Sequence, residues 1–198
     1  MPELLLHLAD EMTPVWEMSA AELGAHGVDP PFWAFAWAGG QAIARHLLGT
    51  PGEVAGRRVL DLATGSGLVA LAALRAGASA VLAVDVDPVA IEAVTCNAAA
   101  NALSAGLAMS SADLLGAAPP VVDVITAGDV CYDRDMTARV LEWLRAAHAS
   151  GARVLLGDPG RAYLPSAGLM RVAEYDVPTT ADLEGRDVVP AAVYRFAD

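Results

Sequence analysis

From residue 57 onward, short apolar runs alternate with segments whose apolar residues recur at helical spacing. Arg57–Leu62 (RRVLDL), Ala80–Asp85 (AVLAVD), Leu107–Ser110, Val121–Ala127 (VVDVITA) and Ala152–Leu156 have the length and composition of strands. Between the first two, Ser66–Ala76 is apolar on nearly every side and stops at Gly77, the pattern of a buried helix with a glycine terminator. Asp87 followed by Pro88 predicts a capped helix reaching Asn101. Asp133 caps another, with Met136, Val140, Trp143, Leu144 and Ala147 on one stripe. The tail changes rhythm: Leu169–Val177 and Val189–Phe196 read as two strands joined by the polar TTADLEGRD, without a full helix between. Residues 1–55 read as helices, including Gln41–Leu48, interrupted at Gly27–Pro31.

Strand–helix alternation predicts a parallel sheet covered on both faces, and the tail predicts an antiparallel hairpin at one edge. The expected fold is therefore α/β: a doubly wound, mostly parallel seven-stranded sheet with an edge hairpin and N-terminal helices. It forms one domain, with 1–55 as a helical extension and 56–198 as the ligand-binding core.

In such sheets ligands bind beyond the carboxyl ends of the strands, near the point where strand order reverses. The stretch VLDLATGSGLVAL (59–71) runs from the first strand into the first core helix, with Gly65 and Gly67 open to a close backbone approach. Asp85 ends the second strand 20 residues after Gly65, where a carboxylate can accept both hydroxyls of a ribose. Gly65-x-Gly67-x-x-Ala70 with that acid matches a dinucleotide fingerprint, so an NAD-dependent oxidoreductase is one alternative. Against it, Asp61 ends the first strand and would repel a pyrophosphate, whereas it suits an ammonium group. Asp113, after the third strand, offers a carboxylate to an exocyclic amine such as adenine's. Three acids at three strand ends describe a ligand with ammonium, ribose and adenine, which S-adenosylmethionine is.

Charge narrows the classes further. The net charge is −12, all twelve basic residues are Arg, and the chain contains no Lys. The acidic balance argues against nucleic acid as partner. Without Lys there is no P-loop, no Schiff base and no Tyr–Lys proton relay. No apolar run is long enough to span a bilayer, and MPELLLHLAD lacks the basic start of a signal peptide, so a cytoplasmic location is expected. Cys96 and Cys131 form no CxxC and read as reduced, packed thiols. His7, His26, His46 and His148 fall in no metal spacing and read as surface or helix-end residues, so no metal site is expected.

The spacing of Asp61-x-x-x-Gly65-x-Gly67, Asp85 and Asp113 resembles the class I methyltransferases over residues 55–198. PPFWAFAWAGGQ (30–41), GDVCYD (128–133) and GDPGRAYLP (157–165) narrow it: they resemble the electron-transfer-flavoprotein β-subunit lysine methyltransferases and their bacterial relatives. Many relatives carry Gly where this chain has Ala63, which is compatible if Ala63 keeps an ordinary φ. The resemblance implies a cofactor cradle of Trp37, Asp61, Ala63, Gly65, Gly67, Asp85, Val86, Asp113 and Asp129. It also implies a protein acceptor with an exposed lysine, such as the flavoprotein β-subunit; a small-molecule amine is the alternative acceptor.

Methyl transfer from a sulfonium is an in-line displacement and needs alignment, not a covalent nucleophile. A lysine acceptor has a free pKa of about 10.4 and attacks only as the neutral amine. Asp129-Val130-Cys131-Tyr132 resembles the acid-x-x-Tyr motif of protein methyltransferases, which implies that Asp129 holds the amine and Tyr132 flanks it. Asp133 is the better-placed helix cap, which frees Asp129 for that role. Trp33 and Trp37, four apart, are expected to share one helical face; Trp37 is favoured against the cofactor because Gly39 and Gly40 permit close approach. Arg161 and Tyr163, in a turn leaving the fifth strand, are the expected substrate-side residues; the alternative for Arg161 is a pairing with a nearby acid.

Overall fold

The structure is a computed structural model and describes residues 2–9 and 30–197. Strands β1 (Arg58–Leu62), β2 (Ala80–Val84), β3 (Leu107–Ser110), β4 (Val124–Gly128), β5 (Arg153–Asp158), β6 (Leu169–Pro178) and β7 (Val188–Phe196) form one seven-stranded sheet in the order β3-β2-β1-β4-β5-β7-β6. β1 to β5 are parallel; β7 runs antiparallel to both β5 and β6, so the tail is the expected edge hairpin.

Period-two alternation divides the core in two. Val59, Val81, Ala83, Val124 and Leu155 face helices α1 (Ala38–Gly49), α2 (Leu68–Arg75) and α3 (Pro88–Ala100). Leu60, Leu62, Val84, Ile125, Ala127, Val154 and Leu156 face α4 (Arg134–Ala149) through Val140, Leu141, Trp143 and Leu144. Both faces being covered explains why the parallel strands read as continuous apolar runs. α2 is buried from Leu68 through Ala73, as its all-round apolar pattern predicted.

The expected caps are present. Asp87 accepts the Val89 N–H at 2.8 Å with Pro88 opening α3, and Asp133 accepts the Met136 N–H at 2.9 Å at the start of α4. The TTADLEGRD connection contains one short helix, α5 (Ala181–Glu184).

The N-terminal region meets its helical expectation in part: α1 (Ala38–Gly49) contains the expected helix Gln41–Leu48, whereas the described residues at the start of the chain are not helical. Leu4–Ala9 forms no helix; it is tied to α3 by Asn101, which bonds both the N–H and the C=O of Leu5, and by Asn97, which accepts the His7 N–H. Asn and backbone pair here as two strands would, and an extended segment satisfies that pairing where a helix cannot. Residues 10–29, including His26 and most of the expected Gly27–Pro31 break, lie outside the described residues. α1 is no appendage: it packs on α2 and on the sheet beside β4, β5 and β7. Among the described residues no helix is long and apolar enough to cross a membrane.

Candidate active site

Strand order reverses between β1 and β4, and the carboxyl ends of these two strands open onto a cleft. The cleft is lined by Phe35, Trp37, Gly40, Asp61, the loop Ala63–Ser66, Gly128 and Asp129. Its place at the switch point is where open α/β sheets bind small ligands.

Its floor is the glycine loop. Ala63, Gly65 and Gly67 all have positive φ, at 54°, 52° and 82°. The ordinary φ expected of Ala63 is not observed; the left-handed turn imposes roughly 1 kcal/mol of strain on an L-residue. At Gly67 a Cβ would stand 3.0 Å from Val94 Cγ2, so this glycine lets the loop pass α3. At Gly65 the requirement is φ alone, and its N–H donates to Asp85 Oδ2 at 2.9 Å. The other Asp85 oxygen accepts the Asp87 N–H at 3.1 Å, so the carboxylate is held at the loop's edge. Burial raises the Asp85 pKa above its ordinary value.

Asp61 sits beneath the loop, 1% exposed. Oδ2 accepts from the Thr64 hydroxyl at 2.6 Å and the Ala70 N–H at 3.1 Å; Oδ1 accepts from the Thr126 hydroxyl at 2.7 Å. Thr126 is its register partner on β4. Three neutral donors hold the carboxylate, yet among the described residues no cation pairs with it, and burial pushes its pKa up to about 6. A buried, uncompensated carboxylate on a ligand-binding floor is unfavourable until a cation arrives. The residues present thus fit S-adenosylmethionine: a carboxylate for its ammonium, a second for its ribose, and a loop open to close approach.

Asp113 is not brought to the cleft. Its side chain is half exposed, paired with Arg139 at 3.1 Å, and accepts the Leu115 N–H. Val86 is also exposed and does not line the cleft.

The far wall belongs to Asp129, which follows β4 with a left-handed φ of 58° and is 9% exposed. One oxygen accepts the Gly40 N–H at 2.8 Å; the other accepts Nη2 and Nε of Arg161 at 2.7 and 3.1 Å. Burial raises Asp129 to about 6 against the pull of that guanidinium, while the same pairing raises Arg161 above its ordinary value. Both are therefore charged at neutral pH. Arg161 also reaches Glu184 Oε1 at 2.8 Å and lies 5.4 Å from the Trp37 ring centre. Its own N–H, like that of Gly160, is fixed by Asp158, a fully buried acid at the end of β5.

The tryptophans do not share a helical face. A 3₁₀ turn at Phe32–Ala34 and an extended Phe35 separate them, and α1 begins only at Ala38. Gly40 lines the cleft, whereas Gly39 serves the approach of α1 to the sheet. A Cβ on Gly39 would lie 2.2 Å from Gly157 O, and one on Gly128 2.9 Å from Gly40 Cα. The start of α1 thus presses onto the ends of β4 and β5, which places Trp37 at the cleft and Gly40 against Asp129. Trp37 Nε1 donates to Phe32 O at 2.8 Å. Tyr132, 47% exposed, stacks near Phe32 at 5.7 Å, giving the mouth an aromatic rim. Tyr163 is exposed beneath the Arg134 guanidinium, 5.8 Å from its ring centre. Cys131 is buried, and burial with nearby Asp158 pushes its thiol up to about 12, so it is no nucleophile. Cys96 is exposed rather than packed.

Participants without a counterpart in the sequence reading include Thr126, Glu184, Phe32 and Phe35. A hydroxyl in the otherwise apolar run VITA was a visible signal for Thr126. Phe32 and Glu184 gave none, since each acts through a residue distant in sequence.

The family model of ribosomal protein L11 methyltransferase (PrmA) matches residues 50–130. The electron transfer flavoprotein beta subunit lysine methyltransferase of Xenopus laevis is 38% identical, over 98% of this chain and 80% of its own length. Its counterpart in Rattus norvegicus is 36% identical, over 98% and 77%. Among solved structures, the ribosomal protein L11 methylase of Lactobacillus delbrueckii subsp. bulgaricus superposes with a TM-score of 0.56 at 20% identity, covering 82% of this chain and 81% of its own.

Proposed function

The chain belongs to the electron transfer flavoprotein beta subunit lysine methyltransferases, and from that premise we propose that it methylates lysine side chains of the electron transfer flavoprotein β-subunit. It is an S-adenosylmethionine-dependent protein-lysine methyltransferase. The dinucleotide alternative falls with that membership, and the uncompensated Asp61 gives the physical reason: it would meet a pyrophosphate with like charge.

Bound in the cleft, S-adenosylmethionine supplies an electrophilic methyl group on a sulfonium. Asp61 would receive its ammonium, directly or through water, and Asp85 would accept from the ribose hydroxyls at the loop edge. Gly65 and Gly67 bring the backbone close. Trp37 and Phe35 wall the cleft and exclude water from the reacting centre. Asp129 accepts a hydrogen bond from the incoming amine and aims its lone pair along the displacement axis. Tyr132 and Phe32 flank the lysine stem at the mouth, which stays open to solvent, so the bound ammonium sheds its proton to water before the neutral amine attacks. The net charge of −12 favours a lysine-bearing partner surface.

The observation that carries this reading is Asp61, a buried carboxylate with three neutral donors and, among the described residues, no cation. Calorimetry tests it: S-adenosylhomocysteine should bind and NAD should not. Micromolar NAD binding with no response to S-adenosylhomocysteine would overturn it.

A further inference from the structure

Arg161 donates to Asp129 from Nε and Nη2, to Glu184 from Nη2 and Nη1, and lies over Trp37. The three charged side chains are largely enclosed, at 17% (Arg161), 10% (Asp129) and 9% (Glu184) exposure. A lysine ammonium entering this site would seek an anion and an aromatic face. Both are already engaged by the guanidinium. The chain contains no Lys of its own, so no internal ammonium competes for them.

We propose that Arg161 is a built-in stand-in for the acceptor's ammonium, and that Glu184 is the positioning residue that receives Arg161 when the acceptor lysine takes Asp129. This rests on the reading that Asp129 holds the acceptor. The exchange is cation for cation. Before it, Arg161 is shared between two carboxylates; after it, Asp129 pairs with the ammonium and Glu184 keeps the guanidinium, so no buried charge is left alone at either stage. A nucleophile that never carries a positive charge cannot open the pair, because nothing would compensate Asp129 when Arg161 leaves; a lysine enters as the ammonium and sheds its proton to water only once bound, before attack. The pair therefore selects cationic acceptors. Glu184 lies on α5, between the hairpin strands β6 and β7, so the selecting carboxylate comes from the tail of the chain rather than from the cofactor core.

The test is steady-state kinetics with purified electron transfer flavoprotein β-subunit as varied acceptor, plus S-adenosylhomocysteine binding on each variant. Glu184→Gln should raise the acceptor KM about tenfold while kcat and S-adenosylhomocysteine affinity stay within about twofold. In the double variant R161Q/E184Q there is no guanidinium to receive, so KM should return to within about threefold of wild type. A residue that only braced the fold would weaken cofactor binding too and would not be rescued by removing Arg161. Unchanged acceptor KM in E184Q, or no recovery in the double variant, overturns the proposal. Loss of S-adenosylhomocysteine binding in E184Q would mark Glu184 as a brace of the fold and overturn the proposal as well. Absence of transfer by the wild-type enzyme overturns the underlying reading, and this proposal with it; normal transfer with an indifferent Glu184 overturns the proposal alone.

Discussion

Asp129 accepts the backbone N–H of Gly40 at 2.8 Å, across a contact between α1 and the sheet that admits almost no side-chain atoms. The first turn of α1 is thereby part of the active site, and its glycines set how deep the helix sits. Gly39→Ala would drive a Cβ to 2.2 Å from the Gly157 carbonyl oxygen, where the opposing atom is backbone and cannot rotate away. It is expected to destabilise by about 3 kcal/mol and to misplace Asp129 and Trp37 together. Gly49→Ala, at the open end of the same helix, meets nothing within 4 Å and should stabilise by about 0.5 kcal/mol. Urea denaturation of both variants reads the contrast.

Asp129 occupies a left-handed backbone position, which Asn tolerates far better than Ala. Asp129→Asn is therefore the cleaner probe of its charge. Methyl transfer is expected to fall by about 10²-fold or more, with S-adenosylhomocysteine affinity changed far less. Single-turnover rates alongside calorimetry separate the two quantities.

Asp61 carries a definite pH signature. Its folded pKa of about 6 lies above the ordinary 3.8, so between those values the folded state holds a proton that the unfolded state has released. Its contribution to the stability of the ligand-free protein is present in full at pH below 3.8 and is lost as pH rises through 6. Asp61→Asn should remove this dependence and leave the ligand-free protein at least as stable at pH 7, while weakening S-adenosylhomocysteine binding about tenfold or more. Thermal melts from pH 4 to 7, with and without ligand, check both halves. Transfer by the wild-type enzyme should likewise decline as pH drops below about 6, where Asp61 and Asp129 take up protons.

The loop strain predicts an asymmetric pair. Ala63→Gly relieves a left-handed Ala of roughly 1 kcal/mol and should keep or raise the melting temperature despite the freer unfolded chain. Gly65→Ala introduces the same strain at φ 52° and should lower it. Differential scanning calorimetry of the two variants decides.

Local signals account for what was legible in the chain. The period of apolar residues located every core strand and helix within a few residues, and Asp87 and Asp133 cap α3 and α4 through their own side chains. What was not legible depends on contacts between distant residues. Gly39 reads as room for a ligand's close approach until Gly157 is seen against it. Asp113 follows a strand end as Asp61 does, yet Arg139 on α4 holds it at the surface. Arg161 could be read as facing substrate or paired with an acid; only the folded chain brings Asp129 and Glu184 to it. Ala63 looked compatible with an ordinary φ because a single residue's turn handedness leaves no periodic trace.

The most direct trial of this account is transfer of a labelled methyl group from S-adenosylmethionine to purified electron transfer flavoprotein β-subunit, followed by mapping of the modified position. The account predicts label on lysine, reduced about 10²-fold or more in the Asp129→Asn enzyme and undiminished by added NAD. A flavoprotein left unlabelled, or labelled equally well by the Asp129→Asn enzyme, would contradict it.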